Sequence, residues 1–295
     1  MSPASCFLLY RYQPSSVLAG IAIGIYTLLT LLHLVRMLST RTKDNVYFVL
    51  AGMAELTGYC ARLYSAATSC SANSVVAYGV QSVLLILGPT LLMFTVGLIQ
   101  PQFVAVLHGE QCVWVPLHLQ RRLYLGLNAT LLFLQMSGAI ITVISHDIGL
   151  LKIGGKVLIA AYIIQIVFWA FLLAENTYFR FRLQRLRQTH ELRHWKWWIQ
   201  LFGLAITIIA FGRNLVRLTA IGGVTFLLVN EWPSYAFDGF QMVVVMLAWG
   251  LFYLPGVLKK QHDLVGRGDV PYEMDHRSEG RPGDNASTES RQPLC

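Results

Sequence analysis

The sequence predicts an all-α membrane protein, a bundle of seven transmembrane helices, on three observations. It contains seven apolar runs, only 13% of its residues are charged, and Lys and Arg are concentrated in alternate loops. Soluble domains carry about twice that share of charge. A hydrocarbon core about 30 Å thick takes about 20 residues of helix, and inside lipid the backbone must satisfy its own hydrogen bonds. Runs of this length are therefore expected to be spanning helices.

The runs follow one another with short polar connections. In chain order they are Val17–Leu38, Val46–Ala67, Val75–Ile99, Leu123–Ile144, Ile153–Ala174, Trp197–Val224 and Ala236–Leu258. They predict a transmembrane domain over residues 17–258, an extracellular segment over 1–16 and a cytosolic tail over 259–295. Beyond about Gly266 the tail has almost no apolar residue, so we expect it to be disordered.

The loop charges predict the orientation. Short cytosolic loops gather Lys and Arg, whereas the second and sixth loops of this chain have neither. The basic residues of the odd loops are Arg36, Arg41, Lys43, Arg121, Arg122, Arg180, Arg182, Arg185, Arg187, Arg193 and Lys196. We therefore expect the N-terminus outside and the C-terminus in the cytosol.

Five charged residues fall within the predicted helices and suggest one polar site. They are Glu55, Arg62, Arg213, Arg217 and Asp238. Glu55 and Arg62 are seven residues apart, and the two later arginines four apart, so each pair shares a helix face. Four of them fall in the outer half of the membrane, and Glu55 lies nearer the middle. Glu55 and Asp238 are expected to pair with the arginines. The alternative is an ion-pair network that only locks helices together.

The chemistry of these residues favours an anionic headgroup. Three arginines against two deep carboxylates leave a positive surplus, and a guanidinium matches phosphate or carboxylate through its fork of donors. Glu55 is alternatively a site for an ammonium or a proton. Gln81 and Gln135 are assigned to the same ligand site, with hydrogen bonding between helices as their alternative role.

Small residues, proline and cysteine give three further expectations. The pair Gly20 and Gly24 allows close approach of another helix, and Pro89 is expected to kink the third helix. Cys6 and Cys70 both fall outside in the predicted orientation, so a disulfide between them is a hypothesis. No cysteine or histidine spacing typical of a metal site is present.

Enzyme signatures are missing from the sequence. It has no HExxH, GxSxG, Walker or GxGxxG motif, so we predict no catalytic residues and no cofactor. Nucleic acid needs a basic soluble face, which a chain of this kind does not offer. Membrane lipids are the expected partners, and the net charge of +8 suits a membrane surface.

Several short motifs together resemble the fungal lipid-translocating exporter family, also called RTA-like proteins. They are Glu55-Leu-Thr-Gly58-Tyr59-Cys-Ala-Arg62, Tyr78-Gly-Val-Gln81, Arg213-Asn-Leu-Val-Arg217 and Glu231-Trp232-Pro-Ser-Tyr235-Ala-Phe-Asp238, within residues 12–258. The resemblance implies a plasma-membrane protein that translocates a sphingoid base or phospholipid and confers resistance to toxic amphiphiles. It places functional residues at Glu55, Arg62, Gln81, Gln135, Arg213, Arg217, Glu231 and Asp238.

Two positions depart from the family pattern. Asn128 stands where an aspartate is common, and Ala220 where a glutamate is usual. Each replacement removes a carboxylate, which favours an anionic or zwitterionic ligand. A divergent paralogue with altered or lost transport is the alternative.

Two other functions fit parts of the sequence. A seven-helix receptor or lipid sensor would share the orientation, although the third loop lacks Asp-Arg-Tyr and Pro255-Gly256 is a poor match to the usual end of such receptors. A membrane enzyme acting on lipids would need a metal or nucleophile constellation, which the sequence does not display.

Overall fold

A computed structural model describes most of the chain, and its secondary structure within the described residues consists of helices, with no strand among them. Described are Tyr10, Tyr12 and residues 14–68, 72–106, 112–145, 147–186, 194–223, 225–253 and 256. Both cysteines of the hypothetical disulfide, Cys6 and Cys70, and the tail from residue 257 lie outside these ranges.

The helices follow the predicted runs. They are α1 Ser16–Thr40, α2 Val46–Ala67, α3 Ala72–Val106, α4 Leu117–Ile144, α5 Ile148–Leu186, α6 His194–Ile221, α7 Thr225–Val229, α8 Trp232–Ser234 and α9 Phe240–Phe252. A π-helical turn, Tyr235–Gly239, joins α8 to α9 in one rod. We call the end of the bundle at which α1 begins and α2 ends the upper end, and the opposite end the lower end.

Six of these helices, counted among the described residues, are long and apolar enough to cross a membrane. They are α1, α3, α4, α5, α6 and the rod of α8 and α9. The remaining long helix, α2, has 22 residues, which is also a spanning length. Glu55 and Arg62 lie on it and lower its mean hydropathy.

Local chemistry explains several helix ends. The Ser15 hydroxyl caps α1 by accepting the N–H of Leu18 at 3.3 Å, and Asp147 caps α5 through Gly149 N–H at 2.9 Å. Arg41, in the left-handed region with φ 51°, ends α1. The rod ends in the same way, because Tyr253 has φ 32°.

The helices pack in chain order and close into a ring. Each of α1 to α6 contacts the next, and α9 contacts both α1 and α6. Helix α3 is the most enclosed of the six apolar spans, with 61% of its most apolar stretch buried. It therefore lies at the centre of the bundle, where residues of the other helices can converge on it.

The glycine prediction for α1 is not supported by the packing. A Cβ built on Gly20 or Gly24 would meet nothing within 4 Å. Close helix contact occurs instead between Gly138 of α4 and Gly154 of α5, where a Cβ on Gly154 would lie 3.0 Å from the carbonyl oxygen of Gly138.

Candidate functional site

Two neighbouring ion-pair centres occupy the upper half of the bundle. The first contains Arg62 of α2 and Glu231, which precedes α8. Arg62 Nη2 donates to Glu231 Oε1 at 2.9 Å and to the Tyr12 hydroxyl at 3.0 Å. Both oxygens of Glu231 also accept the backbone N–H of Ser15, each at 3.0 Å. The first centre therefore ties the segment before α1 to α2 and to the start of the rod.

The second centre contains two arginines and one carboxylate. Arg213 and Arg217 of α6 both form ion pairs with Asp238. Arg213 is buried, whereas the side chain of Arg217 is 28% exposed. The two arginines are four positions apart, so one helix face presents both guanidinium groups to the carboxylate, as the spacing predicts.

Asp238 lies in the π-helical turn of the rod. A π turn is rare and is found frequently at functional sites. The adjacent Gly239 accepts the Tyr26 hydroxyl on its carbonyl oxygen at 2.8 Å, and a Cβ at this position would lie 2.5 Å from the Tyr59 hydroxyl oxygen. The turn thus lets α1 and α2 approach the backbone closely beside Asp238.

Glu55 does not pair as the sequence analysis expected. No ion pair joins it to a described residue, and its Oε1 is buried without a hydrogen-bond partner among them. Its neighbour is Gly88 of α3, where a Cβ would lie 2.6 Å from Glu55 Oε1. Arg213 and Arg217 are the basic residues that act on it electrostatically. The prediction that Glu55 pairs with an arginine is therefore wrong for this conformation, because the guanidinium groups turn toward Asp238 instead.

Glu231 also changes the charge count. The expected surplus compared three arginines with Glu55 and Asp238 only. Because Glu231 pairs with Arg62, the described residues of the two centres together with Glu55 amount to three arginines and three carboxylates. Any affinity for an anion consequently belongs to the second centre, where two cations share one carboxylate.

Pro89 gives Arg213 a backbone partner. Proline has no N–H, so the carbonyl of Leu85, four residues earlier, cannot be satisfied by the usual helical bond. Arg213 Nη2 donates to that carbonyl oxygen at 3.3 Å. Helix α3 continues through Pro89, and the carbonyl that the proline leaves open binds α6 to α3.

Stacked tyrosines connect the two centres. The Tyr235 ring lies 4.9 Å from the Arg62 guanidinium and stacks on Tyr59 with centroids 5.8 Å apart. Tyr59 stacks in turn on Tyr26 at 5.3 Å, and the Tyr26 hydroxyl reaches the π turn. A displacement of Arg62 would therefore alter, through these stacked rings, the contacts of the π turn beside Asp238.

A small cavity borders Arg213 on the side of the bundle centre. Four of its lining residues carry a buried polar atom without a hydrogen-bond partner among the described residues. These atoms are Trp169 Nε1, Arg213 Nε, Asn214 Oδ1 and Gln241 Oε1. Two donors and two acceptors thus surround one space of about 10 Å³, which is room for about one water molecule.

The two predicted amides take different positions. Gln81 accepts the hydroxyl of Tyr10 at 2.7 Å, beside the first centre. Burial raises the pKa of Tyr10, so this hydroxyl stays protonated and donates. Gln135 is used for packing: its Oε1 accepts Thr90 of α3, and its Nε2 donates to Gln165 of α5 at 2.8 Å. Gln135 therefore fits the alternative role of a bond between helices.

One buried carboxylate was missed by the sequence analysis. Glu175 lies one residue beyond the predicted fifth run and is fully buried in the lower half of the bundle. It accepts the Tyr124 hydroxyl at 2.5 Å, Gln120 Nε2 at 3.3 Å and the N–H of Val115 at 3.4 Å. Gln120 and Tyr124 lie one turn apart on α4, and this spacing is the sequence signal from which a buried polar partner could have been predicted.

No group of three His, Cys, Asp or Glu residues in the described part of the chain is arranged to hold a metal ion. The site is instead one of paired charges, amides and tyrosine rings, and such groups can bind and release a charged headgroup by exchanging partners.

Comparison with known proteins identifies the family. The model of the family described as RTA1 like protein matches residues 48–261, which is most of the chain. Three relatives come from Saccharomyces cerevisiae. Protoporphyrin uptake protein 1 is 21% identical and covers 84% of this chain and 92% of its own length. Protein RTM1 is 23% identical over 66% of this chain, and Protein RTA1 is 22% identical over 68%.

The chain spans 62% of the length of RTM1 and the same share of RTA1. No solved structure matches. The matched region contains α2 to α9 and both ion-pair centres, and it agrees with the motifs that resembled RTA-like proteins. This chain belongs to the RTA1-like family of membrane proteins.

Proposed function

We propose that this protein binds the anionic headgroup of an amphipathic lipid at Arg213 and Arg217 and moves the lipid toward the outer leaflet of the plasma membrane. One observation carries the proposal: two guanidinium groups on one helix face share the single carboxylate of Asp238 within the bundle. Buried charges at membrane depth are costly, and they are a sign of a substrate pathway.

Within the second centre the ligand would bind Arg217 rather than Arg213, because Arg217 is the more exposed of the two. A phosphate offers two oxygens to a guanidinium, as a carboxylate does, so it can take the place of Asp238 on Arg217. Arg213 then keeps Asp238 and the carbonyl of Leu85. The exchange replaces one charge-assisted contact with another and leaves no charge unpaired.

Two features beside the second centre suit an exchange of partners, and an apolar groove lies below it. The small cavity borders Arg213, and the π turn holds Asp238 in a backbone that departs from regular helix. In the lower half of the bundle, a groove of about 460 Å³ between α5 and α6 is lined almost entirely by apolar side chains, with Phe181 and Phe211 among them. An alkyl chain fits such a surface, since ligand pockets of this size are mostly apolar.

The relatives support an amphipathic anion as the ligand class. The name of one relative states uptake of protoporphyrin. Protoporphyrin is an apolar ring system with carboxylates, so it shares with a phospholipid an anionic group on an apolar body. A sphingoid base carries an ammonium instead and does not suit the arginines of the second centre. We therefore favour a phospholipid over a sphingoid base at this position.

The test compares the substitutions Arg217→Gln and Arg122→Gln. Each removes one positive charge, but Arg122 is exposed at the lower end, far from Asp238. Purified proteins are reconstituted into liposomes that contain a fluorescent phospholipid, and leaflet exchange is followed by chemical quenching of the outer label. We expect Arg217→Gln to lower the exchange rate at least tenfold and Arg122→Gln to leave it unchanged.

Thermal unfolding of both variants shows whether either has lost its fold. Wild-type exchange by folded Arg217→Gln would contradict the proposed role of the second centre. Absence of exchange by the wild-type protein in pure liposomes, combined with phospholipid binding that depends on Arg217, would favour a lipid sensor or receptor over a transporter.

A further inference from the structure

The guanidinium of Arg62 lies among three tyrosine rings. Its central carbon is 4.9 Å from the ring centroid of Tyr235, 5.7 Å from that of Tyr12 and 5.8 Å from that of Tyr10. The carboxylate of Glu231 completes the arrangement at 2.9 Å. We call Tyr10, Tyr12, Tyr235 and Glu231 the tyrosine cage.

A cage of this composition is suited to an organic ammonium. Aromatic faces attract a cation through their negative quadrupole, and quaternary ammonium groups are commonly held by several rings at once. A nearby carboxylate adds charge attraction and accepts hydrogen bonds from a primary ammonium. Three rings from two distant parts of the chain would not need to surround an arginine merely to neutralise Glu231, because a single ion pair does so.

The cage is braced independently of Arg62. The Tyr10 hydroxyl donates to Gln81, the Tyr10 ring contacts Tyr78 edge-on at 5.0 Å, and Tyr235 stacks on Tyr59. Glu231 also accepts the N–H of Ser15. These contacts do not involve the guanidinium, so Tyr10, Tyr235 and Glu231 can keep their positions when the cation is exchanged. Tyr12 bonds to Arg62 through its hydroxyl, and its ring is 5.8 Å from that of Tyr10.

Arg62 itself is held by groups that another cation can use. Its side chain reaches the cage from α2, and its Nε makes no hydrogen bond to a described residue. A long arginine side chain can withdraw by rotation of its own bonds without movement of α2. The guanidinium then behaves as a resident cation that competes for the cage.

We propose that the tyrosine cage is a binding site for the organic ammonium headgroup of a lipid, and that Arg62 occupies the site in this structure. The site uses none of the residues of the second centre. It therefore stands or falls independently of the phospholipid role proposed for Arg213 and Arg217.

The test removes the resident cation and supplies a foreign one. The full-length variant Arg62→Ala is purified in a neutral detergent, and its unfolding midpoint is measured with increasing choline, a quaternary ammonium, or ethanolamine, a primary ammonium. The neutral control is 3,3-dimethylbutanol, which has the shape of choline without its charge. We expect choline to raise the midpoint by about 5 °C near saturation, and the neutral compound to leave it unchanged.

The two ammonium compounds distinguish the source of the headgroup. A larger shift with choline indicates a choline lipid, and a larger shift with ethanolamine indicates a lipid with a primary amine such as a sphingoid base. Wild-type protein should respond only at concentrations at least tenfold higher, because Arg62 competes.

Two matched variants test whether the effect belongs to the cage. In Arg62→Ala/Tyr235→Leu the choline shift should be lost. In Arg213→Ala, which also removes a buried arginine, no shift is expected, because Asp238 keeps Arg217 and no ring cage surrounds it. Equal shifts from choline and its neutral analogue, or an undiminished shift without the Tyr235 ring, would overturn the proposal.

A second variant covers failure of Arg62→Ala to fold. Arg62→Gln retains a hydrogen-bond donor for Glu231 and should respond to choline in the same direction. If neither variant yields folded protein even when choline is present throughout purification, the proposal is also contradicted, since a fitting cation should replace the lost one.

Discussion

Asp238 is the residue on which the second centre depends, because two guanidinium groups share its carboxylate. Removal of one partner from a buried ion pair leaves an uncompensated charge and costs about 3–5 kcal/mol. Asp238→Asn would leave the cations of Arg213 and Arg217 beside a neutral amide. The same change would open the position that a phosphate is proposed to take.

We therefore expect Asp238→Asn to be less stable than the wild type by about 3–5 kcal/mol and to regain part of that loss in inorganic phosphate. The measurement is thermal unfolding in detergent with phosphate or with chloride at equal ionic strength. Asp147→Asn is the control, because Asp147 is exposed and only caps α5, a role worth about 1 kcal/mol. Equal phosphate effects on both variants would argue against an anion site.

Individual residues show what the sequence could predict of the site. Helical spacing placed Arg213 and Arg217 on one face, and depth placed Asp238 beside them. Depth fixes only the position along the membrane normal, so it could not tell that Arg62 turns to Glu231 or that Glu55 stays unpaired. The tyrosine cage escaped prediction because aromatic residues near a membrane surface are usually read as anchors or core.

At the scale of helices, the crossing of α4 and α5 is a contact in which an added methyl group would meet the backbone of the neighbouring helix. A Cβ on Gly138 would lie 2.9 Å from Leu158 Cγ and 3.1 Å from the backbone oxygen of Gly154. Backbone cannot yield as a side-chain tip can, so an added methyl group must separate the two helices. Small residues that admit such close approach are a common basis of helix association in membranes.

We expect Gly138→Ala to destabilise the bundle by about 1–3 kcal/mol, the cost of overpacking. Gly126→Ala on the same helix and Gly155→Ala on α5 are matched controls, because a Cβ at either position meets nothing within 4 Å. They should be neutral or stabilising by up to about 1 kcal/mol through helix propensity. Thermal unfolding of the three variants tests this expectation. A change in stability of the same sign and size in all three would contradict it.

The bounds of the helices were predictable only where apolar sequence ends with the helix. The run Val46–Ala67 coincides with α2, since polar residues flank it at both ends. By contrast, α5 extends from Ile148 to Leu186, well beyond the run Ile153–Ala174. Hydropathy marks the part of a helix that lies in hydrocarbon, and the basic continuation through Arg180 and Arg182 is helix in a polar surrounding. Glu175 was missed for the same reason, because it lies just beyond the end of the apolar run.

At the scale of the whole molecule, the ring of helices separates two kinds of polar residue. Ion-paired arginines and carboxylates lie in the upper half, and Glu175, which accepts only hydrogen bonds from described residues, lies in the lower half. On α3, Leu85 contacts Arg213, and Gln100 donates to Asn176, the residue after Glu175, at 2.6 Å. The 15 residues of helix between these two levels correspond to about 22 Å. A lipid that crossed the bundle would thus pass from one polar level to the other, and the hydrogen-bonded amides of Gln135 and Gln165 lie between them, level with Thr90 and Met93 of α3.

The distribution of basic residues over the two ends predicts how the molecule sits in the membrane. In the described ranges the lower end carries Arg36, Arg41, Lys43, Arg121, Arg122, Arg180 and Arg182. The upper end, apart from arginines that are paired within the bundle, has Lys152 and Lys156. Basic residues near short loops are retained on the cytosolic side, so the lower end should face the cytosol.

We expect an epitope tag at the N-terminus to bind antibody on intact spheroplasts and a C-terminal tag to bind only after permeabilisation. Both tagged proteins must also pass the phospholipid-exchange assay, which shows that the tag has not altered the fold. Labelling of the C-terminal tag on intact cells would show that the orientation is the opposite of the predicted one. Both ion-pair centres would then lie toward the cytosolic leaflet, and the proposed movement toward the outer leaflet would begin at Arg217 rather than end there.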